Sequence, residues 1–194
     1  DWSSDVCSSD LIASNTISNT NIATGAVENY LNAQSLNLGM RNRIINGTMV
    51  FDQRNVGASV TAAGGYILDR WMAHSNSDGA YTVQQVTTAP TGFGASIKAT
   101  VTTADTSIGA SQNAVLCQYI EAYNVADLGF GGASAKTITI SFWVNSSNTG
   151  TFTGALNNSA SDRSYPFTYT ISSPNTWEQK SVTIAGDTTR SEEH

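Results

Sequence analysis

An all-β chain, folded as an antiparallel two-sheet jelly-roll sandwich, is what this sequence predicts. Three observations carry that reading. From Arg43 onward, some nine stretches rich in β-branched and aromatic residues follow one another at intervals of about 8 to 20 residues, with turn residues between them. The stretch Thr137 to Asn145 alternates strictly: Ile138, Ile140, Phe142 and Val144 face one side, Thr139, Ser141 and Trp143 the other. No segment reads as the crossover helix that parallel strands need. The long strands and the wide loop between the second and fifth favour the jelly roll among sandwiches. About 150 residues after Arg41 are enough to fill one such domain.

The ends come first. Asp1 to Asp10 and Arg190 to His194 read as translated sequencing-adapter DNA. The last five residues can be encoded as AGATCGGAAGAGCAC. Its reverse complement, GTGCTCTTCCGATCT, gives Cys7-Ser8-Ser9-Asp10 and the start of Leu11 in a shifted frame. The natural stretch is therefore expected from about Leu11 to Thr189, open at both ends, with both tails carrying no fold information. Without the tails, 15 acids become 10 and 9 bases become 8, so the net charge moves from −6 to −2. One cysteine, Cys117, and one histidine, His74, are then left.

Residues 11–40 read as a stalk-like repeat or linker. Ile12, Ile17, Ile22 and Val27 recur every five residues, a period of neither helix nor flat strand. Such repeats need stacking or partner chains to bury their apolar face; the plainer alternative is a low-complexity linker. Glu28 to Leu38 suits a short helix or a coil leading into Gly39.

Residues 41–189 form the predicted sandwich module. Ile44-Ile45, an Asn46-Gly47 turn and Thr48 to Arg54 make the first strand. Tyr66 to His74 is the second, Tyr81 to Thr87 the third and Ala95 to Thr103 the fourth. Ala114 to Ala122, apolar on both faces apart from Gln118 and Glu121, reads as a central fifth strand. Asn124 to Leu128 is one helical turn stopped by Gly129. Thr137 to Asn145, Thr151 to Leu156, Tyr165 to Ile171 and Trp177 to Ile184 complete the set.

Composition narrows function. A near-neutral, charge-poor chain gives no electrostatic case for nucleic acid or an anionic membrane, and no apolar run is long enough to span a bilayer. Abundant Ser, Thr, Asn, Gly and Ala with few Lys and Glu suit an extracellular or virion-type structural protein. One cysteine excludes an intrachain disulfide and a cysteine metal site. Catalytic sets are missing from the pattern. His74 has no Gly-x-Ser-x-Gly elbow to serve. Asp69, Glu121, Asp127 and Asp162 are scattered rather than paired as glycosidic cleavage requires. Gly129 to Gly132 precede no helix that would cradle phosphate, and Cys117 reads as inert core. No enzyme activity and no metal is expected.

Several motifs together carry a resemblance. Asn42 to Met49, Trp71, the run Thr137 to Ser147, Gly150-Thr151-Phe152 and Trp177-Glu178-Gln179-Lys180 occur in that order. In this the chain resembles the galactose-binding-like jelly rolls of carbohydrate-binding modules. Tyr66 to Trp71 and Ile120-Glu121 look most like the head modules of phage tail fibres and related virion proteins, and the five-residue repeats resemble the stalks ahead of such heads. The resemblance covers roughly Arg41 to Ile184. It implies a head module lacking its final strand, a homotrimer formed through the N-terminal stalk, a virion location, and a host-surface glycan as partner in non-catalytic attachment. Modules of this type often hold a structural calcium with an acid after the first-strand aromatic; here only Asp52 stands there, so no cofactor is expected. The rival readings are a purely structural or trimerisation fibre module, and an accessory carbohydrate-binding module of a secreted bacterial glycoside hydrolase.

Sugars are held by aromatic faces against C–H patches and by amides or acids on hydroxyls. Trp143, opposite the apolar row of its strand, is the first candidate, with Gln118 and Tyr165 beside it if the strands are neighbours. The alternative is a Trp143 buried under the N-terminal segment or a trimer partner. Trp71 and Trp177 read as core.

Overall fold

The computed structural model describes residues 41–189. The five-residue repeats, the segment Glu28 to Leu38 and both adapter-like ends lie outside them. The chain divides into two units, Asp1–Asn42 and Arg43–His194; the second is described below.

The described part of that unit is all-β, and its strand pairs are antiparallel. Its strands are β1 (Val60–Thr61), β2 (Gly65–Leu68), β3 (Trp71–Ser75), β4 (Ala80–Val86), β5 (Ser96–Thr103), β6 (Ala114–Cys117), β7 (Ile138–Val144), β8 (Gly150–Asn157), β9 (Ser164–Ile171) and β10 (Glu178–Ile184). They hydrogen-bond in the orders β1-β4-β5, β2-β3-β6, β10-β7 and β8-β9. Two single 3-10 turns, Ala122–Asn124 and Ala126–Leu128, are the helical content of the described residues, and Gly129 ends the second in the left-handed conformation at φ 61°.

The core gathers where β2, β3 and β4 meet. Ala62, Ile67, Leu68, Ala73 and Val83 are buried, with Met49, Val60, Trp71, Tyr81 and Ile97 packed against them. Burying side chains such as Leu68 and Val83 stabilises by roughly 1.5–3 kcal/mol each. The Tyr81 hydroxyl lies 2.7 Å from the Val115 carbonyl and 3.0 Å from that of His74. Those two residues pair across β3 and β6, so one side chain ties β4 to the neighbouring sheet.

A second packed region joins β7–β10 to β8–β9. The Phe142 ring meets Tyr169 edge-on at 5.0 Å, and Phe152 stacks on Tyr169 at 5.8 Å. Ile171 and Ile184, at the ends of β9 and β10, are buried.

Three expectations need correction. Thr48 to Arg54 is not a strand. Asn46, at φ 55°, does open a turn, but Met49 at φ 57° and Val56 at φ 49° turn the chain again. Side chains then take the backbone groups a ladder would have used. Asn46 donates from Nδ2 to the carbonyls of Phe51 (2.8 Å) and Asp69 (2.9 Å) and accepts from Phe51 N at 3.0 Å. Asp52 accepts from Asn55 N and Gly57 N. Gln85 Nε2 donates to the Met49 and Val50 carbonyls. Next, Tyr66 to His74 is two strands, because the chain reverses at Asp69-Arg70 and Leu68 pairs with Trp71. Finally, β6 ends at Cys117 and pairs with β3 alone, so it lies at a sheet edge rather than centrally.

Candidate functional site

The outward face of the β7–β10 ribbon is where the first predicted residue stands. Alternation forces the two faces apart. Ile138, Ile140, Phe142 and Val144 turn inward, and the Phe142–Tyr169 contact fixes which side is inward. Trp143 must then point away, and it is 40% exposed. The register sets its neighbours: Gln179 lies opposite Trp143, Ser181 opposite Ser141 and Thr183 opposite Thr139. The two threonine hydroxyls approach to 3.3 Å. The ribbon thus presents one indole, one amide and four hydroxyls on a common face. Among the described residues, no protein group takes the hydrogen bonds of the Trp143 indole N–H or the Gln179 amide. An aromatic ring in line with solvent-facing donors and acceptors is suited to a polyhydroxylated ring: C–H groups on the indole, hydroxyls on the amide and the Ser/Thr rows.

An ion pair within β10 lies on the strand face opposite Gln179. Glu178 Oε1 accepts from Ser172 N and Ser173 N, both at 2.8 Å, and Oε2 accepts from Lys180 Nζ at 2.6 Å. Lys180, with the two backbone N–H groups, holds the Glu178 carboxyl below the ordinary carboxylate range. The start of β10 is fastened there, one residue before Gln179.

The other two predicted residues lie elsewhere. Tyr165 is 47% exposed, at the start of β9, on the same strand face as Phe167 and Tyr169. That is the side of β9 that packs toward β7, whereas Trp143 faces the other way. Gln118 follows β6. Its amide donates to the Ile45 carbonyl at 2.8 Å and accepts from Ile45 N at 2.9 Å, completing a bridge to the N-terminal loop. The three do not form one cluster among the described residues. Gln179, directly opposite Trp143, and Ser181, the next outward residue of β10, were not read as ligand residues in the sequence. Only the β7–β10 register reveals them.

The residues read as non-catalytic have structural surroundings. Burial raises the Cys117 thiol above its ordinary pKa, which keeps it protonated at neutral pH. Asp127 pairs with Arg43 at 2.8 Å, and Glu121 with Arg70 at 2.6 Å. Asp52 accepts a backbone N–H on each oxygen, from Asn55 and from Gly57, and so caps the loop. No group of three or more His, Cys, Asp or Glu side chains among the described residues converges on a metal position. No described helix is long and apolar enough to cross a membrane.

Comparison with protein-family models, with curated proteins and with solved structures finds no match to this chain.

Proposed function

We propose that this chain is a fragment of a phage tail-fibre-like virion protein whose head module attaches, without catalysis, to host-surface carbohydrate. A jelly-roll order of strands, a homotrimer formed through the N-terminal stalk and a location in the virion belong to the same reading. The observation that carries it is the β7–β10 face, where Trp143 is half-exposed opposite Gln179, with the pairs Ser141/Ser181 and Thr139/Thr183 successively further along the same face. The step from that face to host attachment rests on the sequence resemblance, since a β architecture by itself hosts many functions. Trp143 and Gln179 are the residues assigned to the ligand. Tyr165 and Gln118, which lie elsewhere, are assigned to the fold and not to this ligand. The test is a glycan array probed with the wild-type chain and with Trp143→Ala. Selective binding that Trp143→Ala abolishes is expected; binding untouched by the substitution removes Trp143 from the site.

A second reading is favoured by a different observation. At the edge strand β6, Val115 and Leu116 are exposed, and Tyr119 and Tyr123 follow them in the open. An apolar, one-sided edge suits a purely structural fibre module whose neighbouring chain covers it. That reading predicts a silent array and a stable oligomer. The accessory-module reading shares the sugar face and differs in what adjoins it, a catalytic domain in the same reading frame.

A further inference from the structure

We propose a second ligand site, separate from the β7–β10 face: the cleft between the 45–57 loop and the Asp69-Arg70 turn, which takes a single neutral, hydroxyl-rich ring of monosaccharide size. The cleft has a volume of about 220 Å³ and is lined by Ile45, Asn46, Phe51, Gln53, Asp69 and Arg70. It is smaller than the roughly 300–1,000 Å³ of pockets for drug-sized ligands, which limits the occupant to about one ring.

The lining has complementary parts. Phe51 is 61% exposed and lies beside the exposed Ile45, an apolar wall for C–H groups. The Gln53 side-chain amide has no protein partner among the described residues, so both its donor and its acceptor are open. Asp69 gives one carboxylate oxygen to Gln53 N at 2.7 Å and retains acceptor capacity on the other. The Arg70 charge is already met by Glu121 at 2.6 Å, and its guanidinium also donates to the Tyr119 carbonyl at 3.0 Å, so the Asp69 carboxylate is the charge left to a ligand. That carboxylate repels an anion and accepts hydrogen bonds from hydroxyls. An amide, a carboxylate and an aromatic face suit vicinal hydroxyls on an apolar ring.

The walls are also held in place. The Asn46 side chain bonds to both Phe51 and Asp69, one residue on each side of the cleft. Its carbonyl accepts from the Trp71 indole at 3.1 Å, which anchors the base to the core. Among the described residues six non-glycine positions have φ in the left-handed region, and four of them, Asn46, Met49, Val56 and Arg70, belong to this loop and turn. Arg70 also carries a buried Nε with no hydrogen-bond partner. Backbone strain and an unmet donor gathered around one cleft are features that persist where the arrangement is used.

The experiment is amide-resolved NMR on the whole chain carrying Trp143→Ala, titrated with methyl β-D-galactopyranoside, methyl α-D-glucopyranoside and, as a charged control, sodium acetate. Saturable shifts at Gln53, Asp69 and Arg70 with one of the glycosides and not with acetate are expected. Phe51→Ala and Gln53→Ala, at exposed side chains that bond nothing in the fold, should each weaken that binding by roughly tenfold. Shifts that Phe51→Ala and Gln53→Ala leave unchanged, or no saturable shift with either glycoside, overturn the proposal. In the unsubstituted chain, saturable shifts confined to β7 and β10 also overturn it while leaving the Trp143 site standing. Shifts at the cleft with none at β7–β10 support it and count against the Trp143 site.

Discussion

Val56 shows how single residues bear strain in this fold. It is a β-branched residue at φ 49° and 83% exposed. The left-handed conformation costs an L-residue about 1–2 kcal/mol, and little packing offsets that at so open a position. Glycine removes the strain but adds about 0.5–1 kcal/mol of chain entropy to the unfolded state. The difference favours Val56→Gly by up to roughly 1 kcal/mol, and thermal unfolding should show a higher midpoint; a lower one would place Val56 outside the strained region. Glu178 gives a pH signature. Its folded carboxyl is held below the ordinary range, chiefly by Lys180 and then by Ser173 and Ser172 N–H. A depressed folded pKa contributes stability above the unfolded pKa, and that contribution disappears as pH falls through the folded value. Glu178→Gln should therefore lower the unfolding midpoint at neutral pH and flatten its decline in acid. A parallel decline in wild type and variant would show that the pair contributes nothing.

At the scale of elements, the best-read strands are those whose alternation matches a one-sided packing surface. The runs Thr137 to Asn145 and Thr151 to Leu156 differ from β7 and β8 by one residue at each end, and Tyr165 to Ile171 and Trp177 to Ile184 from β9 and β10 by one residue at the start. What failed was local side-chain chemistry. Thr48 to Arg54 has strand-forming residues, yet Asn46, Asp52 and Gln85 take its backbone groups, and no pattern of apolar residues announces that. Asp69-Arg70 has no glycine, so the hairpin turn there was invisible; Arg70 holds φ 74° while its guanidinium reaches Glu121 and Tyr119. β6 looked central because both faces are apolar, and it lies at an edge. Trp143 was legible as outward-facing because its strand alternates. Gln179 was not, because pairing between strands some 35 residues apart is a property of the fold. Gly154 is a test of the β8–β9 pair. It lies opposite Phe167, and a Cβ there would fall inside the ring's contact distance, 2.7 Å from Cε2. Gly154→Ala must displace Phe167 and should destabilise by about 1–3 kcal/mol. An unchanged denaturant midpoint would mean that the ring does not cross the glycine.

At the largest scale described, the sheets share the core around Leu68, Ala73 and Val83, and one polar tie is added to it. Tyr81 joins β4 to the β3–β6 pair through one hydroxyl, and burial raises its pKa above the ordinary phenol value. Tyr81→Phe leaves two carbonyls with one partner fewer and should lower stability by about 1 kcal/mol in denaturant unfolding; no loss would show that water replaces the hydroxyl. The proposed function depends on a different feature of the assembly. Packing of the two ribbons through Phe142, Phe152 and Tyr169 leaves the opposite face of β7–β10 open. The most direct test of that face is the indole N–H resonance of Trp143, assigned by its loss in Trp143→Ala, during titration with the strongest glycan from an array. A saturable shift of that resonance, tracking the binding curve, is the predicted result. A glycan that binds while the Trp143 indole stays unmoved would contradict the assignment of this face as the attachment surface.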